Sequence, residues 1–535
     1  MAREVMSEIA QCINLKKNFL LSGGAGSGKT HSLVETIRVI RDIDKTAQIA
    51  CITFTNVAAD EIKSRINLTG LYTSTIHDFL WSMISSYQKN LKEAIIALIT
   101  ADKESPGTGL SYTGEIELSV NSFHTVQYKK YKKIEEGIIT HDDVLKIARH
   151  LFRKYPILSK VLSDKFPYVL IDEYQDTQKH VIDIFLESVN RNRLGQICIG
   201  FFGDKMQSIY DSGVVNIQNY VENGDVIEIT KEDNYRCSQN VIRVLNKLRS
   251  DINQRAANAD ELGVLQNKQG SAKFVFSCND FDMDLLRDSI SLEGWNLQDA
   301  KQTKILFLTH KLIARKQGYF ELLDAQEYSD SLTGIDKSSL SLHILRIAKI
   351  LFNFKNKVYR YVIEEIETKP RTLQDKGRIS NFLSEMSQIT DQSIETFIQR
   401  FDAEGLIYID DSLRKYQTNH EDEYQSVVAL PFNQVENFYK FDNSYSPYST
   451  QHGIKGTEFE NVLVVLDNGK WSKYNFKNFF EEKDKASDIY RRTERLFYVC
   501  CSRSKNNLVV FFQNPSPLIL DKAKNVFGDE NVIKI

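Results

Sequence analysis

The chain's 535 residues, 42% hydrophobic and 26% charged, exceed what one hydrophobic core organises and call for several domains. A formal net charge of -3 excludes a histone-like binder acting through a global positive field, so any nucleic-acid contact must come from a local groove. No apolar run approaches the roughly 20 residues that cross a bilayer, Met1 to Lys17 does not read as an export signal, and the seven cysteines contain no C-x-x-C pair; membrane spans, zinc modules and disulfide frameworks are not expected, and a cytoplasmic protein without membrane contact is.

Only 8 prolines occur and no long Pro/Gly/Ser-rich linker is present, so the domains are expected to be interleaved. Short β-branched runs alternating with helical patterns signal parallel α/β layers. The first such run, Phe19-Leu20-Leu21, leads into Gly23-Gly24-Ala25-Gly26-Ser27-Gly28-Lys29-Thr30, and a helical pattern continues through Arg41. This is G-x-x-x-x-G-K-[ST] in its strand–loop–helix setting, a pattern that arises by chance in roughly 2% of chains this long. The glycines let backbone N–H groups converge on phosphate oxygens at a helix N-terminus. Lys29 is expected to reach the β- and γ-phosphates of ATP, and the Thr30 hydroxyl to ligate Mg²⁺.

A second strand is expected at Ile49 to Thr53, followed by a mostly helical and polar stretch over 83–150. Within it, Tyr128-Lys129-Lys130-Tyr131-Lys132-Lys133 interleaves aromatics with positive charge. That suits either a nucleic-acid contact or a solvated helix face. The strand Tyr168 to Ile171 ends in Asp172 and Glu173, which places two carboxylates at the strand edge where open α/β sheets bind ligands. Asp172 suits the Mg²⁺ shell, and Glu173 can polarise an attacking water. A third strand, Gln196 to Phe202, runs into Gly203 to Tyr210, where Gln207 can sense a γ-phosphate and Tyr210 can stack on a base; a polar turn with a core tyrosine is the alternative.

Further strands are expected at Val226 to Ile229, Lys304 to Leu308, Val462 to Leu466 and Leu508 to Phe512. Residues 320–445 read as helical with a strand signal at Leu406 to Asp410. The rhythm from Ile379 to Asp410 fits a winged-helix-like unit or an ordinary packed helical subdomain. No internal repeat is evident in the sequence.

The order and content of the motifs resemble the UvrD/Rep/PcrA-type superfamily 1A DNA helicases over nearly the whole chain. Ile52 to Ile62, with Phe54, Thr55 and Asn56, is similar to that family's DNA-contacting segment, and Thr75-Ile76-His77-Asp78-Phe79 to its next contact motif. Asn234-Tyr235-Arg236 resembles its N-Y-R motif, so Tyr235 is implied to stack on adenine and Arg236 to reach the γ-phosphate. Gln451 to Phe459 resembles H-x-x-K-G-x-E-F, which implies nucleotide contacts for Gly456 and Glu458 and a role for His452 in coupling to the strand groove. Glu494 to Arg503 resembles the final motif and makes Arg503 the arginine finger.

The resemblance implies an α/β fold of two RecA-like P-loop lobes with parallel sheets, each carrying a helical insertion. Expected boundaries are 1–82 and 151–260 for the first lobe with its insertion at 83–150, and 261–320 and 446–535 for the second with its insertion at 321–445. Lys29 and Arg503 are then expected to converge on one triphosphate. The implied activity is ATP-dependent 3′ to 5′ movement on single-stranded or tailed DNA. Departures are Asp211-Ser212-Gly213 where the family has a Trp-Arg pair, His31 near the adenine position, and Gln11 as a poor match to the adenine-reading glutamine. They leave open a second reading, a DNA-end or single-strand sensor that regulates a nuclease. The chain also resembles the helicase-like subunits of Gabija-type defence systems, which act beside an OLD-like nuclease.

Overall fold

The computed structural model describes residues 2–66, 68–114, 118–209, 217–257, 268–279, 281–289, 292–325, 332, 337–467 and 471–535. Two compact units emerge: Met1–Gly270 with Glu494–Ser502, and Ser271–Thr493 with Arg503–Ile535. Among the described residues no helix is long and apolar enough to cross a membrane. All seven cysteines are free, and only Cys278 is exposed.

In the first unit six strands form one sheet: β1 (Asn18–Gly23), β2 (Ile49–Thr53), β3 (Leu71–Thr75), β4 (Tyr168–Ile171), β5 (Cys198–Gly203) and β6 (Val226–Lys231). Their order is β3-β2-β4-β5-β1-β6, parallel throughout. Both faces are covered, which is why these strands read as continuous apolar runs. Alternate residues serve opposite cores. Leu20, Ala50, Ile52, Val169, Ile171, Ile199 and Phe201 join one cluster, whereas Phe19, Leu21, Ile49, Cys51, Leu170, Cys198 and Phe202 join the other.

The first cluster also receives the helices inserted after β3. Ile76–Ile84, Gln88–Glu104 and His141–Lys154 bury Phe79, Leu91, Ile95, Ile147 and Leu151 there. Their hydrophobic positions recur at helical spacing, as an amphipathic face requires. An unusual eight-residue π-helical stretch, Asp183–Asn190, packs against them.

In the second unit another six strands form a sheet: β7 (Ser271–Ser277), β8 (Thr303–Phe307), β9 (Tyr448–Thr450), β10 (Phe459–Leu466), β11 (Ser504–Gln513) and β12 (Val532–Lys534). Their order, β9-β8-β10-β11-β7-β12, is again parallel. Counted from the start of each unit, the two sheets share one strand order. The sequence shows no repeat, yet the topology does. The helical insertions differ in place, lying after the third strand in the first unit and after the second strand in the second.

Two sequence expectations fail here. Leu406 to Asp410 forms no strand: Gly405 turns left-handed at φ 70, and the Leu406 and Ile407 amides donate to the carbonyl of Phe401, closing the helix Ile394–Ala403. Leu406 and Ile407 are apolar because they plug the helical core, and the winged-helix reading loses its wing. Tyr128 to Lys133 is not helical either; Gln127–Tyr128 pairs with Ile138–Ile139 as a short parallel ladder.

Candidate nucleotide site and adjoining groove

β1 delivers the chain into the loop Gly24–Gly28, and the helix Lys29–Ile43 starts directly after it. Gly26 and Gly28 sit at φ 76 and 73, backbone that L-residues adopt only at a cost. A Cβ on Gly26 would lie 2.6 Å from the Cβ of Arg236, so that glycine also permits a close approach. Lys29 Nζ donates to the carbonyls of Gly23 (3.0 Å) and Gly24 (3.3 Å). Burial lowers its pKa, while Glu173, Asp204 and Asp172 oppose that shift. The Ser27 hydroxyl is buried without a hydrogen-bond partner, as expected of a donor that waits for a phosphate oxygen.

Register sets the neighbours of this loop. Ser22 of β1 pairs with Gly203 of β5, and Ile171 of β4 with Phe201, so the carboxyl ends of β4, β5 and β1 lie side by side. This places Asp172 and Glu173 at the end of β4 and Asp204 and Gln207 beyond β5, next to the loop. Asp172 is buried, and burial followed by the Glu173 carboxylate pushes its pKa up to about 7, with Lys29 pulling the other way. Glu173 adopts φ 49, left-handed for a non-glycine residue, and its carboxylate accepts from Gln175.

The loop is held by the Asn234-Tyr235-Arg236 motif and Gln207, and also by Lys231, Gln254, Arg249, Asp204 and Tyr498, to which the sequence assigned no role. The Asn234 amide donates to the carbonyl of Ala25 (3.0 Å), and its oxygen accepts from the backbones of Arg236 and Cys237 (2.9 Å each). The Tyr235 amide donates to Gly26 (2.8 Å) and Gln254 Nε2 to Ala25 (3.1 Å). Lys231 Nζ reaches Ser32 Oγ at 2.8 Å and lies 5.5 Å from the Tyr235 ring centroid. Arg249, fully buried, grips both oxygens of Asp204 at 3.1 Å and donates to the Tyr498 hydroxyl at 2.7 Å. The Ala25 amide donates to that same hydroxyl (3.3 Å), and Gln207 Nε2 donates to Asp204 (3.0 Å). Arg236 donates to the carbonyl of Ser502 (3.3 Å). No short motif joins Asp204 to Arg249; their partnership spans 45 positions and is visible only in three dimensions.

In the second unit, Gly456 has φ 85, Glu458 pairs with Lys505 at 2.9 Å, and Arg503 donates to the carbonyl of Thr457 (3.4 Å). His452 Nε2 lies 2.6 Å from the Tyr474 hydroxyl and its ring centroid 5.5 Å from that of Trp471. Gly456, Glu458 and Arg503 therefore cluster locally around the start of β10.

Phe54, Thr55, Asn56 and His77 line one cavity of about 790 Å³ in the first unit. Thr55 and Thr75 cap the helices after β2 and β3, which aims both helix starts into it. Tyr128, Lys129 and Lys130 line the same cavity, so the aromatic–basic stretch joins the residues expected to contact DNA. Phe54 is exposed, as a stacking platform must be. His77 stands edge-on to His141 at 4.7 Å, and burial followed by that neighbour lowers its pKa to about 4. Tyr210 and Asp211 to Gly213 lie outside the described residues.

A family model of the AAA domain matches residues 7–212, the span that carries the loop, both acids of β4 and Gln207. Gabija protein GajB of Bacillus cereus (strain HuB5-5) is 26% identical, with 98% of this chain and 97% of that protein covered. DNA helicase II of Haemophilus influenzae is 25% identical over 49% of this chain and 43% of its own length. The crystal structure of Pif1 helicase from Candida albicans covers 98% of both chains at 12% identity and a TM-score of 0.36.

Proposed function

We propose that this chain is a UvrD-like superfamily 1A, ATP-dependent DNA helicase that moves 3′ to 5′ along single-stranded or tailed DNA in a Gabija-type defence role. The supporting observation is the row of strand ends that sets Lys29, Asp172, Glu173 and Gln207 around one phosphate loop. The loop glycines, the unpartnered Ser27 hydroxyl and the raised carboxyl of Asp172 fit a magnesium-bound triphosphate.

In this reading the backbone of Gly23 to Gly28 cradles the phosphates, and Lys29 exchanges the carbonyls of Gly23 and Gly24 for phosphate oxygens. Thr30 and Asp172 would hold Mg²⁺, which would neutralise charge on the phosphates. Glu173 accepts the proton of the attacking water, and Gln207 orients toward the γ-phosphate from its tie to Asp204. Tyr235 stacks on the adenine, and Arg236, Arg503, Gly456 and Glu458 contact the nucleotide. Phe54, Thr55, Asn56, His77, Tyr210 and His452 serve the DNA strand. A nuclease subunit of the OLD-like kind is the proposed partner, with both acting in the cytoplasm. Support for the defence role is the match to GajB along nearly all of both chains.

The test is ATPase rate with and without single strands, run beside displacement of 3′- and 5′-tailed duplexes. Strong stimulation with displacement of the 3′-tailed duplex alone is expected. Displacement of the 5′-tailed duplex alone overturns the polarity, and stimulation without displacement favours a sensor that regulates the nuclease.

A further inference from the structure

One face of the helix His141–Lys154 carries Lys146, Arg149, His150, Arg153 and Lys154, spaced three and four residues apart so that all five project to the same side. They line a cavity of about 360 Å³ together with His180, which enters from the segment after β4. Leu98 and Thr108 complete the wall. Like charges at this spacing repel, and a solvated helix face disperses them rather than gathering six basic side chains around one hollow. Local acids offset only part of the charge. Arg149 Nε comes within 2.6 Å of Asp183 without hydrogen-bond alignment, and Lys154 stays 4.0 Å from Glu93. Lys146 donates to the carbonyl of Gly109. The ring nitrogens His150 Nε2 and His180 Nδ1 are buried with no hydrogen-bond partner.

We propose that this cavity is a second anion site, separate from the loop at Lys29, that binds a compact ligand bearing clustered phosphate groups. Arginine forks and lysine point charges are the side chains that recognise phosphate. The volume is of the size that holds a small polyanion. Two histidines without partners supply further donors once they are protonated. Burial and neighbouring cations lower the pKa of both, with Lys154 and Arg153 acting on His150, and Arg149, Lys146 and Lys179 on His180, where Asp183 opposes them. A bound dianion reverses that bias, so binding is expected to take up protons and to strengthen as pH falls from about 8 to about 6.

The same phosphate chemistry has two sources, a free oligophosphate and the backbone of a DNA duplex. Calorimetric titration of inorganic tripolyphosphate into the full-length Lys29→Ala protein removes the nucleotide loop from the measurement. Binding there, weakened at least about tenfold by Arg153→Ser with Lys154→Ser and accompanied by proton uptake, establishes the free-anion source. Both substituted positions are exposed, and ATP turnover without DNA in the otherwise wild-type chain serves as the folding control. No tripolyphosphate binding, but a loss of about tenfold or more in affinity for a blunt duplex at low salt, assigns the phosphates to DNA. If the double substitution changes neither affinity, the site does not exist, and the face is a solvated stripe or a surface for an acidic protein. Loss of DNA-stimulated ATPase alone would bear on the proposed function and leave this outcome untouched.

Discussion

Glu173 is held at φ 49, where a side chain costs roughly 1 kcal/mol or more, and it stands beside the buried carboxyl of Asp172. Both features oppose stability and both serve the proposed base. Glu173→Gly should therefore raise the unfolding free energy by about 1 kcal/mol while abolishing ATP turnover. Urea unfolding and a steady-state ATPase assay check the two halves, and a destabilised Glu173→Gly protein would show that the left-handed residue carries no strain. Asp172 gives a pH prediction. Its folded pKa of about 7 lies above the ordinary carboxylate value, so the protonated form favours the fold; that contribution is present below about pH 4 and is lost as pH rises to about 7. Magnesium needs the carboxylate, so Mg²⁺-dependent nucleotide affinity should fall about tenfold per pH unit below about pH 7. Asp172→Asn should bind Mg²⁺ weakly and flatten the profile. Residues such as Lys29, Thr30 and Asp172 were legible because their chemistry is written in adjacent positions. Asp204, Arg249, Gln254 and Tyr498 were not, since each acts through a partner distant in sequence.

The turn Asn234–Arg236 is an element whose work is local. One asparagine side chain ties three backbone groups, fixing the phosphate loop to the segment after β6. Asn234→Ala leaves those buried groups without partners and should cost about 2 kcal/mol of stability, with weaker nucleotide binding. Chemical denaturation and nucleotide titration measure both; an unchanged midpoint would mean water replaces the amide without loss. The strands most readily seen in the sequence were those buried on both faces, whose apolar runs leave no ambiguity. β3 and β7 were missed because each is only partly buried, and β9 and β12 because three residues at a sheet edge carry little pattern. The opposite error, at Leu406 to Asp410, arose because apolar residues that plug a helical core look like a strand.

Across the molecule, the motifs were spread so that their order alone suggested a two-lobed motor, while the equality of the two sheets was invisible until strand order could be compared. Arg503→Ala should leave ATP binding nearly intact and slow hydrolysis on the order of 10³-fold. An unchanged kcat would remove Arg503 from the reaction.

The shared strand order has a stoichiometric consequence. β7 occupies in its sheet the place that β1 holds in the other, yet it leads into Cys278 to Asp282 instead of a glycine-rich cradle. Asp282 accepts from the amides of Asp284 and Leu285, so a fixed negative charge already sits on the donors that an anion would seek. Among the described residues the second sheet thus offers no counterpart of the cradle at Gly24–Gly28. Trapping with ADP and magnesium fluoride should hold one ADP per chain, and a second trapped equivalent would reveal a cradle that the sister sheet has kept.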